Sequence, residues 1–282
     1  MKTKYLFLTA AMGLSVILSS CEKEDILPDK VTTPTGPGTT TPPTTTTPPP
    51  ATTPPPVNTT PPATGTGTLI TRIGARVYTY DAQQRLTEVS YTYSPIQGYT
   101  VVYEGNKPVR LNYKGGSNYM LYTYEGDKVV EAKSYYGENL VNYHFKFEYD
   151  GDLLVKETQV SYARSDEGRL GITAYAYDAK GNLSKITTTW STSNRVEDMG
   201  RPSVITFGNY DNQKHPESFI ATGMYYLPGV KLFENNPGYR NPGYGKEFFS
   251  YSFNDKGYPV NRYTKLEAYP HVQPHVDSYE YK

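Results

Sequence analysis

The residues with most to offer chemically lie late in the chain. Gly223-Met224-Tyr225-Tyr226-Leu227-Pro228-Gly229 is followed by Asn235-Asn236-Pro237-Gly238-Tyr239-Arg240-Asn241-Pro242-Gly243-Tyr244. Flat phenol rings stack on pyranose faces, while amide and guanidinium groups read hydroxyls. Tyr225, Tyr226, Asn235, Asn236, Tyr239, Arg240 and Tyr244 therefore form a candidate sugar-binding set on one long loop. The competing use of the same residues is to cap one end of a wide sheet. Trp190, the single tryptophan, precedes a polar stretch from Ser191 to Met199 and is either a further ligand platform or packing at a core or rim. His271 and His275 are spaced i, i+4, but Pro270 and Pro274 preclude the helix that would bring both rings to one face, so no metal is expected there. Asp178 to Asn182 lacks the ligand count of a calcium loop. No nucleophile elbow, HExxH, P-loop or dinucleotide fingerprint is present, so the sequence offers no catalytic residue and no cofactor. The two carboxylates of a glycoside hydrolase would be assembled only by the fold, which leaves a glycan-active enzyme as a third reading.

The elements that would position these groups come from a repeated phrase. Tyr78-Thr79-Tyr80-Asp81 runs to Leu86, and Tyr122-Thr123-Tyr124-Glu125 runs to Val129. Phe147-Glu148-Tyr149-Asp150 and Tyr175-Ala176-Tyr177-Asp178 repeat it, with looser copies ending at Tyr103, Tyr210, Phe253 and Tyr281. A phrase written this often reports a structural unit, because a catalytic motif is needed only once. From Val141 to Tyr149, apolar and aromatic residues alternate strictly with Asn142, His144, Lys146 and Glu148, as in an antiparallel strand with one wet face. The acid and the Gly or Asn after each anchor tyrosine suit a tight turn. Beyond the turn the aliphatics step by three, Leu86 to Val89 and Leu183 to Ile186, which calls for a bulge or a residue tucked under the hairpin end. The pattern predicts one all-β domain over 69–282, a meander of about 14–16 antiparallel strands that curls into a barrel-like shape.

The start of the chain addresses it to a membrane. Lys2 and Lys4 precede an apolar run from Tyr5 to Ile17, too short to remain as a spanning helix, and Leu18-Ser19-Ser20-Cys21 reads as a lipobox. Residues 1–20 are then a lipoprotein signal peptide, and Cys21, the only cysteine, is the acylated residue. Glu22-Lys23-Glu24-Asp25 resembles the tag that directs Bacteroidota-type lipoproteins to the outer face of the outer membrane. Residues 31–68 are almost wholly Thr and Pro. They have nothing to bury and predict a disordered, semi-rigid stalk over 21–68, with a reach on the order of 100 Å. Formal charge is zero, with 28 basic and 28 acidic residues, which gives no electrostatic footprint for nucleic acid.

The phrase Tyr-x-Tyr-Asp-x-x-Gly-x-Leu, complete from Tyr175 to Leu183, resembles the YD repeat of Rhs-type bacterial surface proteins and toxins. Together with the lipobox, the stalk, the segment Ile205 to Asn212 and Asn235-Asn236-Pro237, it resembles Bacteroidota lipoproteins of an uncharacterised domain family with a porin-like fold. That resemblance implies architecture and no catalytic residues. A barrel inserted in lipid would need neither acyl anchor nor stalk, and would need an apolar outer band. The expectation is a lipid-anchored, outward-facing, non-catalytic binding protein, with a polysaccharide or a glycan-handling partner as its target. The alternative is an assembly or adhesion protein that docks another outer-membrane protein.

Overall fold

The computed structural model describes residues 69–137, 139–163 and 166–282; the expected signal, the Cys21 anchor and the stalk lie outside them. Hairpins follow one another along the chain. β1 (Ile70–Ile73) and β2 (Arg76–Tyr80) lead to β3 (Leu86–Tyr91), β4 (Ser94–Glu104) and β5 (Lys107–Tyr113). Next come β6 (Tyr119–Glu125), β7 (Lys128–Tyr136), β8 (Leu140–Asp150) and β9 (Leu153–Ser161). β10 (Arg169–Tyr177), β11 (Leu183–Trp190) and β12 (Ser203–Gly208) continue the meander. A small inserted hairpin, β13 (Ile220–Ala221) and β14 (Tyr226–Leu227), interrupts it before β15 (Tyr239–Asn241), β16 (Glu247–Phe253), β17 (Pro259–Leu266) and β18 (His275–Tyr281). Every pairing is antiparallel, and β1 pairs with both β2 and β18, so sixteen strands close into a barrel. Closure removes the unpaired edges that so wide a one-sided sheet would otherwise expose.

The repeated phrase has a physical meaning in this barrel. The anchor tyrosine of one hairpin points inward and donates its hydroxyl to a carbonyl of the hairpin before it. Tyr80 reaches Ile70, Tyr103 reaches Leu86, Tyr124 reaches Pro108 and Tyr149 reaches Val129, at 2.6–2.8 Å. Tyr177 to Leu154, Tyr210 to Leu183 and Tyr281 to Pro259 continue the ladder. A phenol is an apolar ring with a polar tip, and here the ring fills the lumen while the tip ties one hairpin to the next. The turn acids behave as their position suggests: Asp81 Oδ1 accepts from the amides of Gln83 and Arg85, and Asp178 Oδ1 from those of Lys180 and Asn182. The step of three is produced by a bulge. In six hairpins the register shifts one residue before the anchor, as between Thr79 and Tyr80, so Leu86 and Val89 both face inward. The alternation in β8 also holds, with Phe145 and Phe147 buried and Lys146 and Glu148 exposed.

Residues 209–238, between β12 and β15, fold into the lumen. Tyr225 meets Phe145 and Phe147 edge-on, with ring centroids 5.4 and 5.3 Å apart, and Tyr226 meets Phe219 at 5.6 Å. A buried loop carries backbone groups that water cannot reach, and each needs a partner. Wall tyrosines supply them: Tyr99 donates to the carbonyls of Thr222 and Tyr225, Tyr113 to Met224, and Tyr122 to Tyr226. Abundant tyrosine and an internal plug are thus two sides of one arrangement.

Candidate binding cavity in the barrel lumen

The plug fills one side of the lumen and leaves the other open. A cavity of about 350 Å³ lies among β1, β2, β12, β15, β16, β17, β18 and the first turns of the plug. Its walls are charged. Arg76 on β2 is buried, and its Nη1 donates to Tyr78 Oη at 3.2 Å and to the plug carbonyl of Ala221 at 2.9 Å. Glu217, at the start of the plug, lies 3.6 Å from the same nitrogen and accepts from Tyr78 Oη at 2.6 Å. Arg262 on β17 pairs with Asp277 on β18 at 2.7 Å, and Arg240 on β15 pairs with Glu247 on β16 at 3.1 Å. His215 and His275 complete the polar lining, and Tyr91, Tyr93, Phe249 and Tyr251 supply rings.

Burial and neighbours set the charge states. Burial alone pulls the Arg76 guanidinium down, but Tyr78, Glu217 and Tyr91 more than offset it and hold the cation firmly. Burial lowers the pKa of the His215 imidazole against the opposing pull of Glu217. The Tyr279 phenol is pushed up to about 12, chiefly by burial.

The cavity reaches the end of the barrel that carries the β1–β2, β3–β4, β15–β16 and β17–β18 connections, where Gly74, Ala75 and Tyr93 line it. Gly74 is what lets the β1–β2 turn pass Asp277 there, because its φ is +54° and a Cβ would sit 2.5 Å from Asp277 Oδ1. Exposed large apolar residues of the connections and of the strand ends beside them gather at this same end, among them Tyr93, Ile96, Tyr136, Leu140, Tyr244, Tyr269 and Val272. The opposite end carries the Asp and Gly turns. The chain also enters there, where the Leu69 amide donates to the Lys282 carbonyl.

The residues expected from sequence to bind sugar do not converge. Tyr225 and Tyr226 are each 6% exposed, and their rings are committed to the plug. Asn235 donates to the Gln213 carbonyl and accepts from Asn182, which ties the plug to the β10–β11 turn, while Asn236 donates to the Asp211 carboxylate and closes the plug's own base. Tyr239 lies against Gly208, and Trp190 covers Gly171 across the β10–β11 pair, a ring shielding a bare stretch of backbone. Arg240 does line the cavity, whereas Tyr244, 81% exposed, lies in the β15–β16 connection outside its lining. The groups that sequence reasoning passed over are Arg76, Glu217, Arg262 and Asp277. Their signal was parity. Arg76 shares the inward parity of Tyr78 and Tyr80, and Asp277 that of Tyr279 and Tyr281.

No family model matches the chain, and no curated protein matches it. Among solved structures, a porin-like protein from Bacteroides vulgatus ATCC 8482 aligns with a TM-score of 0.53 at 14% identity, covering 76% of this chain and 99% of that one. A porin-like protein from Bacteroides uniformis ATCC 8492 gives 0.49 at 13% identity, covering 76% of this chain and 94% of that one. The first of these likenesses extends over the whole barrel, and the fold of this chain is porin-like.

Proposed function

We propose that this chain is a cell-surface binding protein, anchored through acylated Cys21 and raised by its Thr/Pro stalk, which receives a glycan without transforming it. The observation that carries this reading is the placement of the cavity. It is a polar, aromatic-lined chamber that reaches, through Gly74, Ala75 and Tyr93, the end of the barrel opposite the point where the chain enters. Such a chamber, a few hundred cubic ångströms with convergent polar groups, has the character of a small-molecule site. All three of its carboxylates, Glu217, Glu247 and Asp277, are engaged by guanidinium groups, which suits holding a ligand better than passing protons.

The outer wall supports a barrel that stands in water rather than in lipid. Glu131, Lys133 and His144 form one outward cluster, and Lys156 pairs with Glu148 at 2.8 Å. Ionised groups at mid-strand break the apolar band that a lipid-inserted barrel requires. The acyl anchor at Cys21 then accounts for membrane attachment, and outer-membrane display for access to polysaccharide.

A second reading, docking to an outer-membrane protein, is favoured by the apolar rim, where Leu140 is 71% and Ile96 67% exposed. One experiment addresses both. The full chain purified in detergent is passed over immobilised polysaccharides, and the full chain on intact membranes is recovered with whatever it holds. Retention on a polysaccharide supports the glycan reading. Failure on every polysaccharide, together with stoichiometric recovery of one membrane protein, overturns it in favour of docking.

A further inference from the structure

We infer that the cavity is a subsite for an oxyanion carried on a sugar ring, either the carboxylate of a uronic acid or a sulfate ester. The inference rests on the glycan reading above and narrows it to acidic saccharides.

The first observation is an excess of donors. Three guanidinium groups, those of Arg76, Arg240 and Arg262, line a chamber that holds three carboxylates, while that of Arg72 turns outward to Glu280. A guanidinium carries five N–H donors, so three ion pairs leave most of them unspent. Both hydrogen bonds of Arg76 leave from Nη1, and its Nε donates to nothing although the residue is only 6% exposed. Its free side is the Nε edge, one of the two edges through which a guanidinium takes a carboxylate or a sulfate by two parallel bonds. Arg262 is partly engaged on that edge, since Asp277 holds Nη2, but its Nε likewise has no partner. Buried donors without acceptors are rare in folded proteins, and an unplaced anion is one of the few accounts of them.

The second observation is that Arg76 and Arg262 belong to one electrostatic site. Glu217 lies beside Arg76, the Tyr279 phenol senses both Glu217 and Arg262, and His215 senses both as well. The third is that each guanidinium has a ring beside it, Tyr91 at 6.0 Å from Arg76 and Phe249 at 5.1 Å from Arg262. At the mouth Tyr93, 56% exposed, sets its ring 5.6 Å from that of Tyr91. Rings at the entrance with guanidiniums within suit a ligand that is a flat, weakly apolar ring bearing a charged group at its tip.

The test is isothermal titration of the full chain in detergent with glucuronate, glucose 6-sulfate, glucose and inorganic sulfate. Glucuronate or glucose 6-sulfate should bind at least tenfold more tightly than glucose and than inorganic sulfate, and the better of the two identifies the oxyanion. Arg262→Gln should weaken that ligand about tenfold to a hundredfold, the range of a charge-assisted hydrogen bond, and leave glucose unchanged. Tyr93→Ala, at a site more than half exposed, should weaken the same ligand several-fold. Equal binding of glucose and glucuronate, with no effect of Arg262→Gln, would overturn the oxyanion subsite and leave the glycan reading standing. Inorganic sulfate binding as tightly as either acidic sugar would mark a bare anion site and overturn both. Silence from all four probes, with Tyr93→Ala folded and equally silent, overturns the subsite, while polysaccharide retention still decides the broader reading.

Discussion

The two sides of the lumen are built from the same repeat and put to opposite uses. On the side of β4–β9, the inward position four residues before each anchor is Tyr99, Met120 or Phe145, and the plug packs dry against it. On the side of β1, β2 and β16–β18, the equivalent position is Arg76, Phe249 or Asp277, and a cavity remains. The inward position three residues further on from the first residue after each turn follows the same division with one exception: Val89, Leu111, Ala132 and Ile186 are apolar, Arg262 lines the cavity, and Glu157 is a charge on the packed side. Since the scaffold accepts aliphatic and aromatic residues at these positions, barrel closure does not require the charges. Burying them costs free energy unless they are paired. The packed side therefore reports how the barrel is held together, and the charged side is where a function can be sought.

The sharpest way to break the contrast is to damage the packed side. Phe145 has no exposed surface and touches Tyr143, Phe147 and Tyr225. Phe145→Ala should lower stability by about 3–5 kcal/mol, the usual cost of deleting a core ring, and denaturant unfolding followed by tyrosine fluorescence measures it. A shift under 1 kcal/mol would mean that the plug is not a rigid part of the core.

On the charged side the prediction has two arms. Asp277→Ala leaves Arg262 without its partner and should cost a few kcal/mol, somewhat less than a fully dry pair because the Arg262 side chain is 20% exposed. Replacing both, Arg262→Met with Asp277→Leu, should restore most of that stability, since apolar pairs of similar volume often match a buried ion pair. The same double variant should lose affinity for glucuronate. Full stability with lost binding would separate the two uses of the lumen. Stability that stays low in the double variant would show the ion pair to be structural.

Glu157 is a carboxylate on the packed side, and it makes the comparison depend on pH. It accepts from Tyr225 Oη at 2.5 Å and from Tyr175 Oη at 3.3 Å, and burial raises its pKa above the ordinary 4.5. A raised carboxyl binds its proton more tightly folded than unfolded. Its contribution is then complete below about pH 4.5 and is lost as pH rises through the raised folded value. Stability of the native chain should fall across that window, and Glu157→Gln should remove this fall. Parallel pH profiles of the two proteins test this through the difference between them.

Much of the frame was readable from residue order, because a side-chain period of two and a turn acid are local facts. The curled all-β meander over 69–282, the bulge after each turn and the apolar face of β8 all follow from neighbours in sequence. The plug did not follow. The string from Asn209 to Gly238 has no period, and its place in the lumen depends on Tyr99, Tyr113 and Tyr122, roughly a hundred residues away. The cavity was half legible. Arg240 belongs to a loop rich in Tyr, Asn and Gly and does line the cavity, whereas Arg76 and Arg262 read as ordinary wall charges until repeats are aligned on their anchors. Aligned, each is a cation at a position where most of the other copies have an apolar or aromatic residue.

The smallest effect tests the anchors themselves, the feature common to both sides. Tyr149→Phe on the packed side removes one hydroxyl, leaves the ring, and strands the Val129 carbonyl it served at 2.8 Å. The expected loss is about 1 kcal/mol, the net worth of one such bond. Tyr281→Phe, serving Pro259 at 2.6 Å beside the cavity, should cost a similar amount and leave glucuronate affinity unchanged. The chain already contains one copy of the experiment. Phe253 occupies an anchor position without a hydroxyl, and Tyr251, two residues earlier, reaches the Pro237 carbonyl at 3.0 Å instead. Phe253→Tyr should therefore add nothing measurable unless its new hydroxyl finds an unserved carbonyl. If Tyr149→Phe were also neutral, the ladder would be packing alone, and the hydroxyls of the repeat would need another explanation.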